Sequence, residues 1–115
     1  MLLIPVISER YASDSAIERF SRLDSDFLVL LVIDKDKTDA FLSIGDYMWK
    51  GKQFAEKIAQ NLGGKVITEW GNTAKKILYF LNFGKADKVA FIKDISSRPI
   101  IKEIEKEFPD KIVFV

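Results

Sequence analysis

Two short polar stretches carry residue types suited to holding an anion: "SERY", Ser8 to Tyr11, and "KDISSR", Lys93 to Arg98. Each follows an apolar run. Ser96 and Ser97 stand just ahead of a helical pattern, and Ser8, Arg10, Lys93 and Arg98 supply further hydroxyl and cationic groups. Such a set makes a weak site for a small anion, because helix N-terminal N–H groups and hydroxyls donate while the cations offset the charge. Glu9 and Asp94 oppose it. The competing reading makes Ser97 the helix cap and Pro99 a first-turn residue whose missing N–H costs nothing. Covalent chemistry is poorly supplied. The chain has no histidine or cysteine, and no serine lies in a G-x-S-x-G elbow. Asp34, Asp36 and Asp39 in "DKDKTD" raise the question of a calcium loop, but Asp39 and Gly45 stand where an EF-hand needs Gly and Glu, so the stretch reads as a solvated turn. No catalytic residue, metal ligand or cofactor is expected, and the chain reads as a non-enzyme.

These stretches need a scaffold, and the hydrophobic periodicity describes one. It alternates between strand and helix throughout. A first strand, 2–7, leads to a helix over about 14–23 with Ala16, Ile17, Phe20 and Leu23 on one face and Ser13 or Asp14 as cap. A second strand, "FLVLLVI" (27–33), precedes a long helix in which Phe41, Ile44, Met48, Phe54, Ala55, Ile58 and Leu62 recur at helical spacing, ended by Gly63 and Gly64. Gly45 and Gly51 are expected to loosen its first half. "KVITEW" is a third strand, "GNTAKKILYFLNFG" a helix, "DKVAFI" a fourth strand, about 98–108 a last helix, and "KIVFV" a fifth strand. Five strands joined through helices predict a parallel sheet covered on both faces. The expected fold is a single α/β domain over 1–115, a three-layer doubly wound five-stranded sheet. The right-handed crossover rule leaves orders 3-2-1-4-5 and 2-1-3-4-5.

Composition narrows the partners. Eighteen basic residues against seventeen acidic ones give no reason to expect nucleic acid or an anionic membrane. The opening "MLLIPVI" lacks a basic n-region and is too short to span a bilayer, so it reads as a strand and no membrane is expected. The absence of cysteine fits a reducing compartment, with cytoplasm the default. No histidine, few Asn and Gln and many Lys and Glu resemble the composition of proteins from hot environments.

The order and spacing of several pieces resemble the universal stress protein family: "LLIPV" its opening strand, "LLVID" its second, and "VITEWGNTAKKIL" with "ADKVAFI" its third strand, glycine turn, third helix and fourth strand. The resemblance covers nearly the whole chain. It implies order 3-2-1-4-5, as in adenine nucleotide alpha hydrolase-like folds, a homodimer along strand five and, in nucleotide-binding members, ATP. Those members carry an aspartate after the first strand's Pro-Val and a glycine loop after strand four. Here Ile7 follows Pro5-Val6, the first two glycine positions fall near Ile92 and Ile95, and the interval to the next helix is too short for the spacer. Glycines in such a loop let backbone N–H groups approach phosphate, so a divergent member without ATP is expected.

In order 3-2-1-4-5 a crevice opens between strands one and four, between the two polar stretches. The last strand is an edge, and pairing of Ile112, Val113, Phe114 and Val115 with a second copy would close it. In the third helix Ile77, Leu78 and Leu81 are expected to face the sheet, leaving Tyr79, Phe80 and Phe83 partly outside as either a partner surface or one covered by the chain itself. Trp49 and Trp70 read as core or rim packing. The leading expectation is a dimeric binding or regulatory module without ATP. The alternative is a nucleotide- or phosphate-binding protein or enzyme using the crevice. A receiver-like module ranks last, because "VIS" and "TEWG" lack its acidic residues.

Overall fold

The computed structural model of the chain describes residues 1–23, 26–34 and 44–115. The expected Phe41 of the long helix, and Asp36 and Asp39 of the charged turn, lie outside the described residues. The order is β1 (Leu2–Pro5), α1 (Asp14–Ser21), β2 (Phe27–Ile33), α2 (Ile44–Leu62), β3 (Lys65–Trp70), α3 (Thr73–Asn82), β4 (Lys88–Phe91), α4 (Pro99–Glu107) and β5 (Ile112–Phe114), with short 3-10 turns at Glu9–Ala12, Lys93–Ile95 and Pro109–Lys111. The five strands form one parallel sheet in the order β3-β2-β1-β4-β5, which decides between the two expected topologies.

Every residue of β1 and β2 is buried, as their continuous apolar runs require of strands covered on both faces. The helices pack in pairs, α1 beside α2 and α3 beside α4. Local signals fix their starts. The Ser13 hydroxyl accepts the Ala16 N–H at 3.1 Å and Asn72 Oδ1 accepts the Lys75 N–H at 3.0 Å, two N-terminal caps. After α2 the chain turns through Gly63, whose φ of 73° favours glycine. Gly51 does something other than loosen its helix. A Cβ there would lie 2.8 Å from Leu31 Cδ1, so its lack of a side chain lets α2 approach β2 closely.

That contact also sorts the strand faces. Leu31 points toward α2, and its register partner Thr68 therefore does too, with Val66 and Trp70; Lys65, Ile67 and Glu69 point toward α3. Glu69 accordingly meets Lys76 of α3 at 3.8 Å. Carrying the register across β1 and β4 places Val113 on the α1/α2 face and Ile112 and Phe114 on the other.

Among the described residues the sheet has two edges, β3 and β5. In a parallel ladder the N–H and C=O of one residue point to one side and those of the next to the other. The Val115 N–H donates to the Phe91 carbonyl, and its carbonyl accepts from the Lys93 N–H, both at 2.9 Å. Val113 therefore bonds toward β4 as well, and the groups turned outward are those of Ile112 and Phe114. At the other edge the Gly71 N–H donates to the Ile33 carbonyl at 3.2 Å, so Lys65, Ile67 and Glu69 bond toward β2 while Val66, Thr68 and Trp70 turn their backbone groups outward.

Candidate functional site

β1 and β4 pair only over Leu2↔Lys88 and Leu3↔Val89. Beyond that point lies the place where a doubly wound sheet ordinarily receives its ligand. The structure brings the two polar stretches together there and fills the space between them. Tyr11, in the 3-10 turn after β1, is fully buried, with its ring 5.9 Å from that of Phe20. Its hydroxyl oxygen accepts the Ile92 N–H at 3.2 Å. Ile92 directly follows β4 and its N–H points toward the β1 side, so the backbone donor best placed to meet an anion there is already bonded. Burial pushes the Tyr11 phenol up to about 12, against the opposing pull of the Ile92 hydrogen bond and the Arg98 charge. The hydroxyl therefore stays neutral at ordinary pH.

The candidate anion residues are divided between structural duties and the rim. Ser8 Oγ accepts the Arg10 N–H at 3.2 Å and caps the Glu9–Ala12 turn. Arg98 Nη1 donates to the Ile7 carbonyl at 3.2 Å, tying the α4 start to the end of β1. Arg10, Lys93 and Ser97 are exposed and Ser96 is half-buried. Ser97 is not the helix cap. That position belongs to Arg98, at φ −62° and ψ 141°, whose side chain caps no N–H. The physical reason is Pro99: a residue before proline is held out of the helical region, so the helix cannot begin earlier. Pro99 does occupy the first turn as expected.

Two side chains near this end of the sheet are missed by sequence reasoning. Asp34 closes β2 and is only 2% exposed, which corrects its reading as part of a solvated turn. Its Oδ2 accepts the Thr73 N–H at 2.9 Å and the Thr73 hydroxyl at 3.0 Å, fastening the start of α3 to the sheet with a carboxylate where the helix dipole favours one. Asp34→Ala is expected to destabilise the fold by about 1–3 kcal/mol, since it strips a buried amide of its acceptor; urea unfolding measures it, and a loss below about 0.5 kcal/mol would contradict this role. Arg19 of α1 reaches Asp94 at 3.4 Å and the Val115 carbonyl at 3.3 Å. Asp94 therefore already has a cation.

The aromatic expectations change in part. Phe80 is buried, 3% exposed, because it joins Ala74, Ile77 and Leu81 on the inward stripe, whereas Leu78 is only half-buried. Tyr79 and Phe83 are exposed, with rings 4.8 Å apart, and Lys85 Nζ lies 5.1 Å from the Tyr79 ring. Trp49 and Trp70 are 65% and 59% exposed, so neither is core. Among the described residues no group of three or more acidic side chains is gathered to hold a metal ion. No helix formed by the described residues is long and apolar enough to cross a membrane.

The class defined by these observations is a doubly wound α/β domain of order 3-2-1-4-5 whose switch point is occupied by its own tyrosine. No family model matches the chain, and a search of curated proteins finds no match. Seven solved chains match it in structure. One, described as hypothetical protein PH0823, is 14% identical, superposes with a TM-score of 0.66, and is matched over 99% of this chain and 94% of its own length. At that identity the likeness establishes the fold.

Proposed function

We propose that the chain is a binding or regulatory module of universal stress protein type that works as a homodimer through β5, in the cytoplasm, without ATP and without catalysis. The observation that carries this reading is Tyr11, which occupies the switch point and takes the Ile92 N–H. A nucleotide phosphate would need that volume and that donor together. Ile7 stands where the nucleotide-binding members of the resembling family carry an aspartate, and their first two loop glycines fall near Ile92 and Ile95. The outward N–H and C=O groups of Ile112 and Phe114, flanked by half-buried apolar side chains, supply the self-pairing edge. In a two-fold antiparallel pair centred on Val113, Ile112 of each copy exchanges hydrogen bonds with Phe114 of the other, which uses every outward group of β5.

The expected result of calorimetric titration with ATP and magnesium is no saturable heat. A dissociation constant in the low micromolar range, or ATP retained through purification, would overturn the reading. A second, weaker reading is a small anion such as phosphate at the rim, where Arg10, Lys93, Ser97 and Arg98 are exposed and Ser96 is half-buried. It is favoured by the α4 start, where no side chain caps the helix N–H groups.

A further inference from the structure

We infer that the opposite edge, β3, is a second self-pairing surface whose partner is another copy of this chain, in a register set by its charges. The edge turns the backbone groups of Val66, Thr68 and Trp70 outward, and five of its six residues present a regular strand before Trp70. Two copies related by a two-fold axis perpendicular to the sheet pair residues of the same face. Centring that axis on Ile67 sets Ile67 against Ile67, Val66 against Thr68, and Lys65 against Glu69 twice.

Lys65 and Glu69 then form two opposite-charge pairs at closely spaced, non-hydrogen-bonded positions, the arrangement in which cross-strand partners interact most strongly. Val66 and Thr68 exchange the backbone hydrogen bonds. Trp70, 59% exposed in the single copy, falls opposite Gly64, which has no side chain to obstruct an indole. Charges on an edge strand ordinarily repel indiscriminate partners. Here one positive and one negative charge lie symmetrically about Ile67, so the strand they repel least is their own copy. Glu69 already meets Lys76 at 3.8 Å, and desolvating both charges makes this contact weaker than the wholly apolar β5 edge. It therefore operates between β5 dimers at high concentration, joining their sheets.

Sedimentation equilibrium from tens of micromolar to low millimolar protein tests it in a Val113→Glu background, where β5 pairing is blocked. The mass is expected to rise from monomer to dimer across that range. Adding Lys65→Glu should weaken association roughly tenfold or more, because both pairs become repulsive. Adding Lys65→Glu together with Glu69→Lys should restore it, since the exchange preserves the complementary pattern. Circular dichroism checks that each variant is folded, and the Trp70 emission is expected to shift to shorter wavelength on association. A Val113→Glu protein that stays monomeric at low millimolar concentration, a Lys65→Glu variant that associates as before, or a double exchange that fails to recover would each overturn the inference. Should the unmodified chain itself be monomeric at tens of micromolar, the same series is run without Val113→Glu, which separates failure of the β5 dimer from failure of the β3 contact.

Discussion

Val113→Glu is expected to convert the proposed β5 dimer to monomer at tens of micromolar, Val113→Lys to do the same, and an equal mixture of the two to dimerise again. In a pair centred on Val113, this residue faces its own copy at a non-hydrogen-bonded position, where Cα atoms approach to roughly 4.5 Å. Two like charges at about 5 Å repel by roughly 3 kcal/mol at an effective dielectric near 20, which weakens association about a hundredfold. The side chain lies half-buried, and its backbone groups bond inward to β4, so the substitution leaves the chain's own ladder intact. Proline at 113 is a poor probe for that reason, because it would remove a bond within the sheet. Light scattering on each variant and on the mixture decides the matter. A Val113→Glu protein that remains a dimer, or a mixture that stays monomeric, would count against pairing in this register.

Tyr11 carries the second large effect. Tyr11→Ala should destabilise the fold by about 3–5 kcal/mol, as loss of a buried aromatic ring does. Tyr11→Phe keeps the ring but leaves the Ile92 N–H without its acceptor, and should lose about 1–3 kcal/mol. The phenol adds an alkaline signature. Its folded value is raised to about 12 from 10.0, chiefly by burial. Between those values the unfolded chain releases the proton and the folded one keeps it, so ionisation favours the unfolded state. The stability contribution is whole below pH 10 and is lost as pH rises toward 12, by roughly 2–3 kcal/mol in all. The informative quantity is the difference between the unmodified protein and Tyr11→Phe, measured by urea unfolding from pH 9 to 12. That difference should shrink as pH rises; a constant one would contradict the assigned environment of Tyr11.

Much of the scaffold is legible because its apolar runs are fully buried strands. "FLVLLVI" admits little else, and its seven residues are all buried. Strand order is not legible from periodicity, which reports burial and not neighbours, so two topologies survive until pairing is known. Tyr11 escapes notice since it stands among polar residues in "SERY", and its burial depends on β4, some eighty positions away in sequence. Asp34 escapes for the same reason: at the end of an apolar strand it reads as the first residue of a charged turn, and only the β3-to-α3 junction explains its burial. The start of α4, by contrast, was available in the sequence. The restriction that Pro99 places on Arg98 outranks the capping preference of Ser97. Phe80 was available too, since it stands three residues after Ile77 and six after Ala74, along one helical stripe.

Amide hydrogen exchange along the last strand reads out the proposed β5 homodimer residue by residue. Within one copy the N–H groups of Val113 and Val115 are bonded to β4, and those of Ile112 and Phe114 point away from the sheet. Dimerisation in the Val113-centred register gives the second pair partners as well. Ile112 and Phe114 are expected to exchange as slowly as Val113 at concentrations where the protein pairs, and to quicken in Val113→Glu while the Val115 N–H, bonded to the Phe91 carbonyl within one copy, stays slow. Fast exchange at Ile112 and Phe114 in the unmodified protein, beside slow exchange at Val113, would show the edge open to water and contradict that dimer.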